Sequence, residues 1–421
     1  MLFLGVPKNL VESTRARGSW WRSAWLLGPA LVAGVAYLDP GNVASNMTAG
    51  ARYGYLLVWV VVVGNVMAWL IQYLSAKLGI VTGQSLPEVL GTRIRNRWAR
   101  RAYWLQAELV AMATDIAEVL GGAVALHLLF GIPLLLGGAI TGAVSIVLLT
   151  IQTRRGPRHF EFVIIGLMAV IVIGFVAGLF VAPPDPAGVL GGMLPRFADS
   201  GSVLLAASIL GATVMPHAIY AHSALTRDRF AAEVGRPGIR MLLAVTRWDV
   251  TIAMVIAGSV NLAILLLAAA NLADVDGTDS LEGAHAAISA SLGPVIGTLF
   301  AVGLLASGLA STSVGAYAGA EIMHGLLTVR IPMLARRLVT LIPALVLLGV
   351  GFDPTLALVL SQVVLSFGIP FALVPLVALT AQRRTLGEHA NRTITTVLGV
   401  VFAVLLIALN AVLLWLVATG A

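Results

Sequence analysis

Two short runs in this 421-residue chain carry residue types able to hold a cation. The first is Asp39-Pro40-Gly41-Asn42. Pro40 removes a backbone donor and crowds the preceding turn, and Gly41 costs further helicity. A helix is expected to unwind there and free its carbonyls. A carboxylate, an amide oxygen and freed carbonyls on one break make a hard-oxygen cation site. A plainer reading is a kink whose Asp39 caps the following half-helix, which leaves Asn42 unexplained. The second run is Met215-Pro216-His217, with its proline 176 residues after Pro40. The same logic frees carbonyls before Pro216, including those of Ala212 and Thr213. Thioether sulfur favours later transition metals over Mg²⁺ and Ca²⁺. A lone methionine is ordinarily core; Met215 stands at a break that matches the one carrying Asp39.

A third set lies on one apolar stretch. Glu108, Asp115 and Glu118 are spaced i, i+7, i+10 and share one helical face. Intramembrane carboxylates are costly and mark ion or proton routes. Arg336 and Arg337 are the candidate partners, although basic residues at a cytoplasmic helix end also serve as anchors. His217 can relay protons near neutral pH, or be a hydrogen-bonded structural residue. Gln362 is either a further oxygen ligand or a helix–helix hydrogen bond. His217 and His222 are five apart and do not share a face. No zinc-protease, phosphate-loop or nucleophile-elbow motif occurs.

The elements that position these residues follow from composition. The chain is 59% hydrophobic and 11% charged, without cysteine. That excludes an ordinary soluble enzyme, a disordered protein, disulfides and thiolate metal sites. Long apolar runs, rather than alternating ten-residue strands, point to membrane helices and away from a β-barrel. Eleven such segments are expected, near 24–48, 55–81, 102–130, 133–152, 160–182, 201–225, 242–272, 284–327, 337–351, 354–381 and 393–419. The eighth is long enough to include a non-spanning piece. No cleavable signal is expected at the N-terminus. With the N-terminus inside, 24 of the 26 basic residues fall on cytoplasmic loops and helix ends, as the positive-inside rule requires. Only Arg52 and Arg196 fall outside. The net charge of +7 is therefore a topology signal, and nucleic acid is not an expected partner. Eleven spans place the C-terminus outside. Pro40 and Pro216 lie five segments apart, so the second unit is inverted relative to the first. Paired interruptions in inverted halves are the best sequence pointer to a transporter's central site.

The Asp39-Pro40-Gly41-Asn42 and Met215-Pro216-His217 runs resemble the two signature motifs of the Nramp family of divalent-metal transporters. The likeness extends through Gly211–His217, His222-Ser223-Ala224-Leu225, Thr114-Asp115-Ile116-Ala117-Glu118, Gln362–Ser366 and Pro370-Phe371-Ala372, and covers nearly the whole chain. It implies an all-α polytopic membrane protein of LeuT-type fold, with two inverted five-helix repeats (24–182 and 201–381). A cytoplasmic N-terminal segment (1–23) precedes them, and an eleventh helix with the C-terminus (393–421) follows. It implies proton-coupled import of Mn²⁺ or Fe²⁺ at the cell membrane, with no cofactor and no obligate protein partner. By position it implies metal contacts from Asp39, Asn42, Met215, Gln362 and the carbonyls of Ala36 and Ala212. It assigns a proton route to Asp39, Glu108, Asp115, Glu118, His217, Arg336 and Arg337. Two departures stand out: Ala218 where the family usually has Asn, and Glu321 where Gln is common. Retention of Met215 argues against the family's magnesium-transporting relatives.

Three other functions fit parts of the pattern. A sodium-coupled amino-acid carrier of the same fold has no need of an Asp opposite a Met. A membrane-embedded metallohydrolase built on Asp39 and His217 needs a water-activating base and a substrate cleft, and no motif supplies them. A channel needs neither coupled protons nor two broken helices.

Overall fold

The structure is a computed structural model that describes residues 28–155, 157–231, 238–273, 275–329 and 333–419; every described element is helical or a turn. The first unit comprises α1 (Pro29–Val35), a 3-10 turn (Ala36–Leu38), α2 (Pro40–Tyr53), α3 (Val58–Thr82), α4 (Leu86–Arg93), α5 (Arg97–Phe130), α6 (Leu134–Arg155) and α7 (Pro157–Val181). After the short α8 (Pro186–Gly191) come α9 (Ser200–Thr213), α10 (Pro216–Ala231), α11 (Ile239–Asn271), α12 (Leu281–Leu292), α13 (Pro294–Leu327) and α14 (Met333–Gly349). The chain closes with α15 (Pro354–Ala381), α16 (Arg383–Leu386), a second 3-10 turn (Gly387–His389) and α17 (Thr393–Thr419).

Local chemistry sets most boundaries. Ser85 and Glu88 form a reciprocal capping box that starts α4. Asn96 caps α5, and Gly131 in the left-handed conformation (φ 66°) ends it. Asp353 followed by Pro354 starts α15. The expected segments match within about five residues, an offset in keeping with the uncertainty of helix ends. Residues 24–27 of the first segment, and 1–23 before it, lie outside the described residues. The eighth segment divides at Gly293 (φ 96°) into α12 and α13, so α12 is the non-spanning piece.

Among the described residues, eight stretches are long and apolar enough to cross a membrane: Val58–Thr82, Arg97–Phe130, Phe162–Val181, Ser200–Phe230, Ile239–Asn271, Pro294–Leu327, Pro354–Ala381 and Thr393–Leu416. The remaining three expected spans are the broken α1/α2, the apolar part of α6 and the 17-residue α14. At the centre, α13 lies against α5 and α7, α11 against α2 and α3, α10 against α3, and α9 against α15. The last helix, α17, is tied on through Asn410, which exchanges two hydrogen bonds with Ser366 of α15 (2.8 and 2.9 Å).

The two breaks fall one or two residues before the expected positions. Asp39 is extended (φ −70°, ψ 161°), and the helix resumes at Pro40, whose missing N–H costs nothing at a first turn. Gly41 is therefore helical, a correction to the expectation that it unwinds the chain. It is small for a different reason: a Cβ there would overlap the Gln362 amide, as one at Gly121 would overlap Pro40. In the second break Val214 leaves the helix (φ −114°, ψ 58°), and Pro216 opens α10.

Candidate metal-ion site

Asp39 is fully buried where the first break meets α9 and α15. One carboxylate oxygen accepts from the Asn42 backbone N–H (2.8 Å), so the residue does cap α2; the other accepts from Gln362 Nε2 (3.0 Å). The capping reading therefore holds, and the second oxygen is left to meet Gln362. Asn42 Nδ2 donates to the carbonyls of Tyr37 (2.6 Å) and Ala212 (3.3 Å), and its Oδ1 accepts from Asn46 (2.7 Å). The Asn42–Ala212 bond spans the two breaks directly. Ala36, Ala212 and Met215 are all fully buried. Gln362 Oε1 is buried without a hydrogen-bond partner, and a buried orphan oxygen of this kind calls for an explanation such as an ion.

The break does not leave all its carbonyls free, contrary to expectation. That of Tyr37 accepts from Asn42 and from Asn261 of α11 (3.0 Å), and that of Leu38 from Ser307 of α13. Ser45 of α2 and Ser208 of α9 share a 2.6 Å bond that draws the two broken helices together. Sequence reasoning missed Asn261, Ser307, Ser45 and Ser208. It also missed a chain in which Gln72 of α3 donates to the Tyr37 hydroxyl and meets His222 Nδ1 through its oxygen (2.6 Å). The only available signal was a lone polar residue in an apolar run, which is ordinarily a helix–helix hydrogen bond.

Glu108, Asp115 and Glu118 do share a face of α5, turned toward α14. Arg336 holds Glu108 at 2.8 Å, and Arg337 bridges Asp115 (2.8 Å) and Glu118 (3.2 Å). Arg337 also donates to Ser145 of α6 (3.0 Å) and Thr312 of α13 (3.3 Å). Arg337 is 1% exposed and Arg336 7%, so neither is a surface anchor. His217 bonds Thr114 Oγ1 (3.2 Å) on the neighbouring turn of α5. The Ala218 departure is a fully buried packing position. Glu321 has a clear partner: Arg227 of α10 binds it at 3.1 Å, together with Glu88 of α4 and Asp228 (both 2.7 Å). Among the described residues no three His, Asp or Glu side chains converge as a metal cluster. The Asp39 locus instead brings one carboxylate to the Gln362 amide, and Asn42 ties its break to the Ala212 carbonyl.

Two discontinuous helices crossing at a buried carboxylate, inside a bundle of spanning helices, define a multi-pass membrane protein of LeuT-type fold. The model of the natural resistance-associated macrophage protein-like (Nramp) family matches residues 30–416, and the chain belongs to that family. It is 60% identical over 414 residues to the divalent metal cation transporter MntH of Mycobacterium tuberculosis (strain ATCC 25618 / H37Rv), covering 98% of this chain and 96% of the relative. The Eremococcus coleocola manganese transporter, solved with an aromatic bis-isothiourea compound, superposes with a TM-score of 0.83 at 31% identity, covering 94% of this chain and 87% of that one. MhsT, solved with L-phenylalanine, shares the fold alone (TM-score 0.59, 13% identity, 92% and 97% coverage).

Proposed function

We propose that the protein is a secondary transporter that imports a divalent transition metal, Mn²⁺ or Fe²⁺, together with protons across the cell membrane. The reading rests on one observation: Asn42 reaches the Ala212 carbonyl, so the Asp39 break and the Met215 break share a wall. The cation is held by Asp39, Asn42, Met215, Gln362 and the carbonyls of Ala36 and Ala212. For that, Gln362 and Asn42 turn their N–H groups away and present oxygen. Met215 supplies the preference for softer ions.

A cation beside Asp39 favours the ionised carboxylate and expels its proton. The proton leaves along the α5 face, through Glu118 and Asp115 toward Glu108, with Arg336, Arg337 and His217 keeping the acceptors poised. The membrane potential drives both species inward, at about 2.3 kcal/mol per charge per 100 mV. Segments 24–182 and 201–381 act as inverted repeats around the site. The N-terminus is cytoplasmic and the C-terminus extracellular. The work is transport rather than catalysis, and it needs no resident cofactor, nucleic acid or obligate protein partner. The experiment is Mn²⁺ uptake into liposomes by Asp39→Ala. Uptake should be lost while the protein still inserts; uptake at the wild-type rate would remove the proposal.

A further inference from the structure

A cavity of about 650 Å³ opens where the ends of α3 and α11 meet the turn before α17, and Asp39 does not line it. Its polar wall carries Lys77, Arg240, Arg247 and Arg392. Among the described residues, no carboxylate lies within ion-pair distance of Lys77, Arg247 or Arg392. Arg240 has Glu388 at 3.5 Å, and Glu388 also faces His389 at 3.5 Å. The cavity thus concentrates positive charge with one competing carboxylate at its rim.

The wall is pre-organised. Lys77 is buried and donates to Asn391 Oδ1 (2.9 Å), which uses one of its three N–H donors. Arg247 lies over the Tyr73 ring at 5.4 Å, Tyr73 stacks on Trp69 (6.4 Å), and Trp69 donates to Thr251 of α11 (2.9 Å). The mouth is apolar. Trp248 and Ile394 line it, 67% and 68% exposed. Trp248, Ile252 and Val255 continue along one exposed face of α11, and Ile394, Val397 and Val401 along one of α17.

We propose that this cavity binds the headgroup of an anionic phospholipid. Its phosphate sits among the three arginines and Lys77, and its acyl chains lie on the exposed faces of α11 and α17. A free anion would use the basic wall but has no use for the apolar mouth. Basic pockets between spanning helices at the cytoplasmic side have the chemistry for such headgroups, and Trp248 sits where an interfacial tryptophan belongs.

The test is the thermal midpoint of the purified, delipidated full chain in detergent, titrated with phosphatidylglycerol, phosphatidylcholine or inorganic phosphate. Phosphatidylglycerol should raise the midpoint well beyond phosphatidylcholine, and phosphate alone should not. Replacing the three arginines together (R240Q/R247Q/R392Q) should weaken the phosphatidylglycerol response roughly a hundredfold in apparent affinity and leave the phosphatidylcholine response unchanged. Glu388→Gln removes the competing carboxylate and should strengthen it; this variant keeps the test decisive if the triple variant does not fold. Equal phosphatidylglycerol responses in wild type and variants would overturn the proposal. A response to phosphate that matches the lipid would overturn the lipid as its occupant.

Discussion

Asn42 and Gln362 each hold the proposed cation site together by a hydrogen bond. Each turns an N–H toward an oxygen of the site, Asn42 toward Ala212 and Gln362 toward Asp39, and each has an oxygen that a rotation can offer instead. Met215 has no such alternative, so its removal should change selectivity more than capacity. Met215→Ala should keep measurable Mn²⁺ uptake while Ca²⁺ competition rises about tenfold, the effect of a change near 1.4 kcal/mol. Unchanged Ca²⁺ rejection in that assay would make Met215 a packing residue. Asp39, Pro40, Asn42, Met215 and Pro216 could be read in the sequence because each pairs an uncommon residue with a helix breaker. Tyr37, Gln72, Asn261 and Ser307 could not. Their importance lies in contacts between residues 35 to 269 positions apart, and no local spacing records those. Gly41 was misjudged because the constraint on it is the Gln362 side chain rather than its own backbone.

The face that α5 turns toward α14 carries Glu108, Asp115 and Glu118, and the two α14 arginines that meet it are not equivalent. Arg337 bridges two carboxylates at 1% exposure, whereas Arg336 meets one at a partly open position. Removing one partner of a buried pair leaves uncompensated charge at a cost of about 3–5 kcal/mol. Arg337→Ala should therefore lower the thermal midpoint more than Arg336→Ala does; equal shifts would contradict the distinction. Asp115→Asn tests the proton role separately. It should carry metal with reduced proton flux, read by a pH dye inside liposomes; normal flux per metal would leave the face a structural gate. At the end of the bundle, α4, α10 and α13 meet at Arg227. Burial pushes the Glu88 carboxyl up, but the Ser85 N–H and the Arg227 guanidinium outweigh it and hold it below its usual range. A carboxyl depressed by folding stabilises the fold above its unfolded value, near 4.3, and loses that contribution as pH falls through the folded value. The loss of thermal midpoint in Glu88→Gln should then be constant from pH 8 to pH 5 and shrink only below about pH 4. A loss that shrank between pH 7 and pH 5 would mean that Glu88 titrates there.

For the whole molecule, hydropathy located the spanning helices, because a bilayer leaves a long uninterrupted record in sequence. Short helices outside the spans, such as α4 and α8, leave none; they are specified by caps of two or three residues. The division at Gly293 was foreshadowed only by the length of the eighth segment. The meeting of the two breaks was inferred from Pro40 and Pro216, and the Asn42–Ala212 bond gives it a distance. The proposed divalent metal would bind there. A crystal of the full chain soaked with Mn²⁺ and measured for anomalous scattering locates it. One strong peak is expected between Asp39 and Met215, lost in Asp39→Ala. A peak elsewhere in the bundle, with none between the two breaks, would contradict it.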